Sequence, residues 1–511
     1  MDLLLPFLQI FKSKEQTAFR GWLANGNDKR RVVFVKLFDL LLEGTKQPAE
    51  IAQILHKSPS TVQLAKTRSR LRQFAEEFLP GYYLTEDIPA DELPRRYLVL
   101  AEIALRRNSM ELVRHYLEEA ELEALKFRKY DVLQSIYRTA IIHARALKLD
   151  VHEYIKRWKI NSRRYAIYSE VLMLLAETEY AVDQWRLFGI PFDAEEVLNR
   201  IEQIDLDREE ANDPAILYAI ARLVRAAILP SKYYRKLHRV AERFHHRLEK
   251  AGQFREGDRE YKIGFLYMLS HVYFRIRSFD LAEQMLKELT QQFAPGEFIK
   301  HPLYTKVYSL ETQLFSYTRR AALSSVRLER VIEQPSKFAD SHERLNMQLN
   351  LSVAWFHQTN FKRADEVLRG ISGSRDKLIR HYGTEWLYKK DMIQAIVLFE
   401  LTEFEQARYK LAQMRTAYEP FLNQPYYQRA LRFMNVVLVM MDNPGIERTP
   451  AFHEQVKSAG LAFGDKEDLQ AITFYCWLKS KMDGLPYYEV LMTRLAEIDP
   501  DFSGPEESQA V

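Results

Sequence analysis

The chain has 511 residues, 47% apolar and 28% charged, with a formal net charge of +4. Those proportions match a soluble globular average and exclude a disordered or membrane-embedded chain. One cysteine, Cys476, excludes an intramolecular disulfide and any multi-cysteine metal site.

Only 17 Gly and 19 Pro occur, which favours helix almost throughout. At roughly 150 residues per domain the length suggests about three domains, unless the chain is a stacked array. The longest fully apolar run, Ala215 to Ala221, is far short of the roughly 20 residues that span a bilayer. Leu3 to Leu8 reads as a packed helix rather than a signal peptide. No Lys or Arg precedes it, Asp2 does, and no small-residue cleavage site follows. A cytoplasmic location is the expectation, where one free thiol is ordinary.

Short helices are expected over positions 1–80. Ser13 and Gln16 have capping-box spacing, and Phe19, Trp22 and Leu23 form the apolar side that follows. Asn27-Asp28 suits the next cap, Pro48 the first turn of a third helix, and Ser58-Pro59-Ser60 a break. The fourth helix is expected to stop at Pro80-Gly81, with a basic helical domain over 1–85. The segment from Met1 to Pro80 carries a net charge of +5 and the remainder −1, a hint of an anionic partner near the start.

Within that domain, Glu50-Ile51-Ala52 and Ser58-Pro59-Ser60-Thr61-Val62 resemble the helix-turn-helix of response-regulator output domains and sigma-factor region four. The resemblance runs from Glu50 to Arg72. It implies core positions at Ile51, Ala52, Leu55, Val62 and Ala65. It also implies a DNA-facing set of Ser60, Thr61, Gln63, Lys66, Thr67 and Arg70. The alternative is a helical adaptor domain whose basic residues are a solvated face. The start of the chain is also similar to uncharacterised bacterial helical-repeat proteins, which implies no activity.

From about 92 to 498 helical period is broken at intervals by Gly and Pro, and no stretch alternates with period two, so no sheet is expected. Three segments share one pattern: Leu269-Ser270, Tyr273, Phe279, Ala282, Leu286 and Leu289; Leu351-Ser352, Trp355, Phe361, Ala364, Leu368 and Ile371; and Ala395, Leu398, Phe404, Ala407, Leu411 and Met414. The central aromatics are Phe279, Phe361 and Phe404, which gives a period of about 41–43 if a degenerate unit lies near Ala321-Ala322. A fainter copy occurs at Met110, Val113 and Leu117. An apolar residue four after a large one stays on one helical face, and a small Ala lets two helices approach. A lone hairpin cannot bury both faces, so neighbours stack.

The pattern resembles the tetratricopeptide repeat, with a period longer than the family's usual ~34 residues. The resemblance implies an all-α fold: the small helix-turn-helix-like domain, a tetratricopeptide-like α-solenoid of hairpins over 90–500, and a frayed tail over 501–511. A generic helical bundle is the alternative. In family register the concave groove would hold Tyr267, His271, Phe274 and Arg275, then Val353, Phe356 and His357. Aromatics and cations there suit a protein or peptide.

Other candidates read as structural. Lys156, Arg157, Lys159, Arg163 and Arg164, with Trp158 and Tyr165 interleaved, read as a solvated helix face before a single-stranded nucleic-acid site. Glu242 and His245 make one E-x-x-H, short of a di-iron set, and His238 and His246 do not complete a metal site. Cys476, between Tyr475 and Trp477, reads as a buried thiol. Nucleotide-binding, zinc-protease and serine-hydrolase motifs do not occur, so the expectation is a non-enzymatic adaptor without cofactor or metal. The alternative is a transcriptional regulator with a solenoid sensor.

Overall fold

The computed structural model describes residues 4–25, 31–44, 47–57, 61–86, 89–188, 190, 192–204, 209–228, 258–333, 341–424, 427–461 and 469–498. Among them are 26 α-helices and no strand. The expected cap at Asn27-Asp28, the break at 58–60, the histidines at 238, 245 and 246, and the 501–511 tail lie outside the described residues. The chain divides into two compact units, residues 1–159 and 160–511.

The first unit opens with α1 (Leu4–Gln9), α2 (Ser13–Ala24), α3 (Arg31–Glu43), α4 (Pro48–His56) and α5 (Thr61–Glu86). Their core includes Leu4, Leu8, Phe19, Leu37, Phe38, Ile51, Leu71 and Phe78. The cap of α2 sits one residue earlier than Ser13 and Gln16 suggest. The Lys12 amide donates to Glu15 Oε2, while Gln16 Nε2 reaches back to the Phe11 carbonyl. Pro48 does open α4. Pro80, by contrast, does not stop α5, which runs through it. Phe78 stacks on Tyr82 at 5.3 Å and touches Phe19 and Trp22, so burial on both sides of the proline holds the helix. Pro80 and Glu76, whose carbonyl it orphans, are both exposed.

Next come α6 (Leu93–Arg106), α7 (Met110–Lys126), α8 (Tyr130–Ile142), α9 (Ala144–Leu147) and the start of α10 (Val151–Phe188), whose residues from 160 on belong to the second unit. A separate cluster from Ala101 to Tyr154 forms their core, with Val113 and Leu117 inside it as the sequence pattern requires. Arg157 pairs with Glu121 at 3.1 Å and Glu153 at 3.0 Å, so this part of the basic stretch is an ion-paired face.

The second unit continues with α11 (Ala194–Gln203) and α12 (Pro214–Ile228). Four hairpins then carry the shared pattern. They are α13 (Arg259–Arg275) with α14 (Phe279–Thr290), α15 (Tyr304–Tyr317) with α16 (Ala321–Glu333), α17 (Ser341–His357) with α18 (Phe361–Gly370), and, after α19 (Arg375–Tyr382), α20 (Thr384–Glu400) with α21 (Phe404–Ala417). Each hairpin turns on one left-handed residue, and these residues, Arg277, Arg319, Thr359 and Thr402, recur at close to one period. In three of them the next amide bonds the carbonyl five residues back, at 2.9 Å: Arg320 to Phe315, Asn360 to Trp355 and Glu403 to Leu398. That closure satisfies a helix-end carbonyl and reverses the chain.

Ala282, Ala364 and Ala407 are fully buried at the close approach within their hairpins. The hairpin near Ala321 explains its own faint signature. Ala321 stands at the aromatic position and Ser324 at the small one, with Tyr317 stacked on Phe279 at 6.4 Å. Ser324 replaces the methyl contact with hydrogen bonds, accepting from Ser316 and donating to the Thr312 carbonyl.

The chain ends with α22 (Glu419–Leu422), α23 (Gln428–Asp442), α24 (Pro450–Ser458), α25 (Leu469–Asp483) and α26 (Tyr487–Ile498). The last two fold back on earlier hairpins. Tyr488 donates to the Ser316 carbonyl at 2.9 Å, Glu489 pairs with Arg319 at 3.1 Å, and Trp477 donates to Glu400 at 2.6 Å. Cys476 is fully buried, and burial pushes its thiol up to about 12.

Where α12 meets α13 the Tyr218 ring packs onto Gly264. A Cβ added there meets the Tyr218 ring at 2.5 Å. Gly264→Ala is expected to destabilise the second unit by about 1–3 kcal/mol, the cost of overpacking a rigid ring. Urea denaturation checks this, and an unchanged midpoint would refute the tight approach.

Candidate functional site

Helix α12 and the first helices of the hairpins that follow line one polar cleft of about 420 Å³. Its floor is built from equivalent positions, each about one period from the last: Arg225 of α12, Tyr267 of α13, Ser309 of α15 and Asn350 of α17. His271 and Gln313, again one period apart, form the next row. Lys306, Glu343, Asn346 and Trp386 complete the walls. Side chains one hairpin apart are tied together. Asn350 Nδ2 donates to Ser309 Oγ at 3.2 Å, and Trp386 Nε1 to Asn346 Oδ1 at 2.9 Å.

These bonds fix the amides, but two buried nitrogens in the cleft remain unpaired, Arg225 Nε and His271 Nδ1. The Arg225 guanidinium lies 5.8 Å from the Tyr267 ring centre. Burial, then the charges of Arg225 and Arg275, hold the His271 imidazole well below its ordinary pKa. Burial also raises the Tyr267 phenol. At neutral pH the described residues therefore offer the cleft two cations, a neutral imidazole, amides and two hydroxyls, with Glu343 as the one carboxylate among them.

Of the residues the sequence places in a groove, Tyr267 and His271 line this cleft, and Arg275 adjoins it through its field on His271. Phe274, Val353, Phe356 and His357 do not; all four are buried in the core. Phe274 packs on Phe279 and Tyr317, and Phe356 on Phe361 and Tyr487. The His357 Nδ1–H donates to the Ser316 carbonyl at 3.2 Å. They sit in the last turns of α13 and α17, where α14, α18 and the C-terminal hairpin cover them. Arg225, Lys306, Gln313, Asn346, Asn350 and Trp386 line the cleft without having been expected there. Adding one period to Tyr267 or His271, in either direction, reaches Arg225, Ser309 and Gln313.

A second cavity, of about 580 Å³, is lined by Arg375, Asp391, Lys410 and Tyr418. Its polar groups are mutually satisfied. Asp391 accepts from Lys410 at 2.7 Å and Tyr418 at 2.6 Å. Burial opposes ionisation of Asp391, but these bonds outweigh it and hold the carboxyl below its ordinary pKa. This is an internal ion cluster.

In the first unit, Ile51 and Ala52 are buried as the helix-turn-helix resemblance requires, and Leu55 is half-buried. Val62 is 66% exposed and Ala65 is also exposed, which corrects their placement in the core. Leu64, Leu71, Ala75 and Phe78 set the buried stripe of α5 and rotate Val62 outward. Gln63, Lys66 and Arg70 are exposed, with Arg70 bonded to Gln73 at 2.8 Å. Thr67 is tied to His56 at 3.1 Å. Ser60 and the Thr61 side chain lie outside the described residues. In the second unit Arg163 pairs with Glu210 at 3.1 Å. Among the described residues no cluster of His, Cys, Asp and Glu could hold a metal ion, and no helix is long and apolar enough to cross a membrane.

Compared with known proteins, the chain matches no protein-family model and no curated protein sequence.

Proposed function

We propose that the chain is a non-enzymatic adaptor that binds a protein or peptide through a tetratricopeptide-like α-solenoid. The observation that carries this reading is the cleft built from positions about one period apart in successive helices, Arg225, Tyr267, Ser309 and Asn350. A groove whose wall recurs with the helix spacing suits an extended segment, contacted in register by one side chain per hairpin. The helix-turn-helix reading is less well supported, because Val62 and Ala65 stand outside the core that such a unit needs.

A photo-crosslinking amino acid at Gln313, in the cleft, tests the adaptor reading against the same group at Lys362, exposed on α18. Full-length protein irradiated in lysate is expected to yield recurrent peptide adducts at position 313 and none of them at 362. No adduct at 313, or the same adducts at both positions, would overturn it.

A further inference from the structure

We infer that the cleft between α12, α13, α15 and α17 is a site for a phosphoryl group carried on a peptide. The inference deepens the adaptor reading and rests on it for the peptide. The cleft itself supplies the phosphoryl chemistry.

Three observations lead there. First, the unpaired buried nitrogens belong to donors or potential donors, Arg225 Nε and His271 Nδ1. A buried N–H without a partner costs free energy that an incoming oxygen acceptor would recover. The His271 ring, neutral at pH 7, donates from one nitrogen, and a proton taken up on the other makes both donors. Second, the charges are unbalanced. Among the described residues Arg225 and Lys306 line the cleft against the single carboxylate of Glu343. Among the described residues Lys306 is exposed and makes no ion pair. Two cationic side chains in one cleft suit a phosphoryl group, which carries about −1.5 to −2 at pH 7 and can engage both. Third, neutral polar groups ring the same space. Ser309 accepts from Asn350, which leaves its hydroxyl hydrogen available, and Gln313 stands one turn further along α15. Trp386, stacked on Tyr382 at 4.5 Å, gives an aromatic wall for the residues flanking the phosphoryl group. An arginine fork, an ammonium and an imidazole converging with hydroxyl and amide donors is a chemistry for a tetrahedral oxyanion.

The second cavity does not compete for this role, because the Asp391 carboxylate already neutralises Lys410 there and takes the Tyr418 hydroxyl hydrogen.

Isothermal titration of the full-length protein at low salt tests the proposal, with N-acetyl-O-phosphoserine amide as one probe and N-acetylglutamate amide as the other. The phosphoserine probe is expected to bind, and inorganic phosphate to compete with it. Lys306→Glu and Arg225→Gln are each expected to weaken it at least about tenfold, the loss that removing one charge-assisted bond brings. Lys306 is on the surface, so its variant keeps the wild-type circular dichroism and melting profile. No binding, equal affinity for the two probes, or affinity unchanged in both variants would overturn the proposal. The two readings fail separately. Probe binding without peptide adducts at position 313 leaves an oxyanion site and removes the adaptor. Adducts at 313 with no probe binding keep the adaptor and remove the phosphoryl group.

Discussion

Acidification from pH 6.5 to 4 is expected to remove about 3 kcal/mol of stability from the second unit through His357 alone. The ring is 2% exposed, and burial pushes its pKa down to about 4. Tyr317, Tyr487 and Tyr488 surround it, with ring centres at 5.5, 5.8 and 5.4 Å. Nδ1–H is held by the Ser316 carbonyl, and Nε2 is buried with no acceptor to receive a second proton's charge. The folded state therefore refuses the proton that the unfolded chain takes up at an ordinary histidine pKa. Between pH 4 and 6.5 the unfolded state binds more protons, so stability rises with pH across that window and falls as pH drops through it. Below about 4 the effect levels off. His271 is shifted in the same direction and adds to the slope. Urea denaturation at several pH values between 4.5 and 7 measures this. His357→Asn keeps a donor for Ser316 but cannot titrate. It is expected to be less stable at pH 7 and to have a flatter profile. An unchanged slope in that variant would show that the acid sensitivity lies elsewhere.

What can be read from the chain alone is the part written in local period. Helical class follows from Leu, Ala, Glu, Lys and Arg with few Gly and Pro, and the expected spacing reappears as turns at Arg277, Arg319, Thr359 and Thr402. A hairpin, α15 with α16, stands near Ala321, where the spacing expects a degenerate copy. The candidate cleft is half legible. Tyr267 and His271 come from register, whereas Arg225 lies in a helix ahead of the recognised copies. Phe274, Val353, Phe356 and His357 fall outside the cleft because helix register says which face a residue occupies, not what later covers it. The cover over Phe356 and His357 is partly Tyr487 and Tyr488, from the far end of the chain, and no local pattern announces that contact. The expectations for Pro80 and Val62 fail for the same reason. The buried partners of Phe78 and Leu71 lie in α1 to α4, and their burial outweighs the local stop signal and the motif register.

That return of the C-terminus makes Trp477 the side chain whose removal is expected to cost most. Trp477→Ala should destabilise the second unit by about 3–5 kcal/mol, the range for deleting a fully buried large aromatic. The side chain is 0% exposed and lies edge-on to Phe399 at 5.6 Å and Phe433 at 6.4 Å. Its Nε1–H donates to Glu400 Oε1 at 2.6 Å, and Lys481 donates to Oε2 of the same carboxylate at 2.7 Å. Alanine thus opens a cavity and also leaves a mostly buried carboxylate with one donor instead of two. Trp477→Phe separates the two effects. It retains the larger part of the ring contact and loses the N–H, so about 1–3 kcal/mol is expected, chiefly the cost of stripping a charged acceptor of a partner. The Glu489–Arg319 pair joins the same hairpin to the turn after α15 at the surface, where Glu489 is 57% exposed. Glu489→Ala is expected to cost less than about 1 kcal/mol, because solvent screens an exposed pair. Urea denaturation of the three variants should rank Trp477→Ala above Trp477→Phe, and both above Glu489→Ala, in cost. Hydrogen exchange should accelerate first in α25 and α26. A loss for Trp477→Ala below about 1 kcal/mol, the ceiling for an exposed pair, or one equal to that of Glu489→Ala, would mean that the C-terminal hairpin is held by its surface charges rather than by this buried indole and its carboxylate.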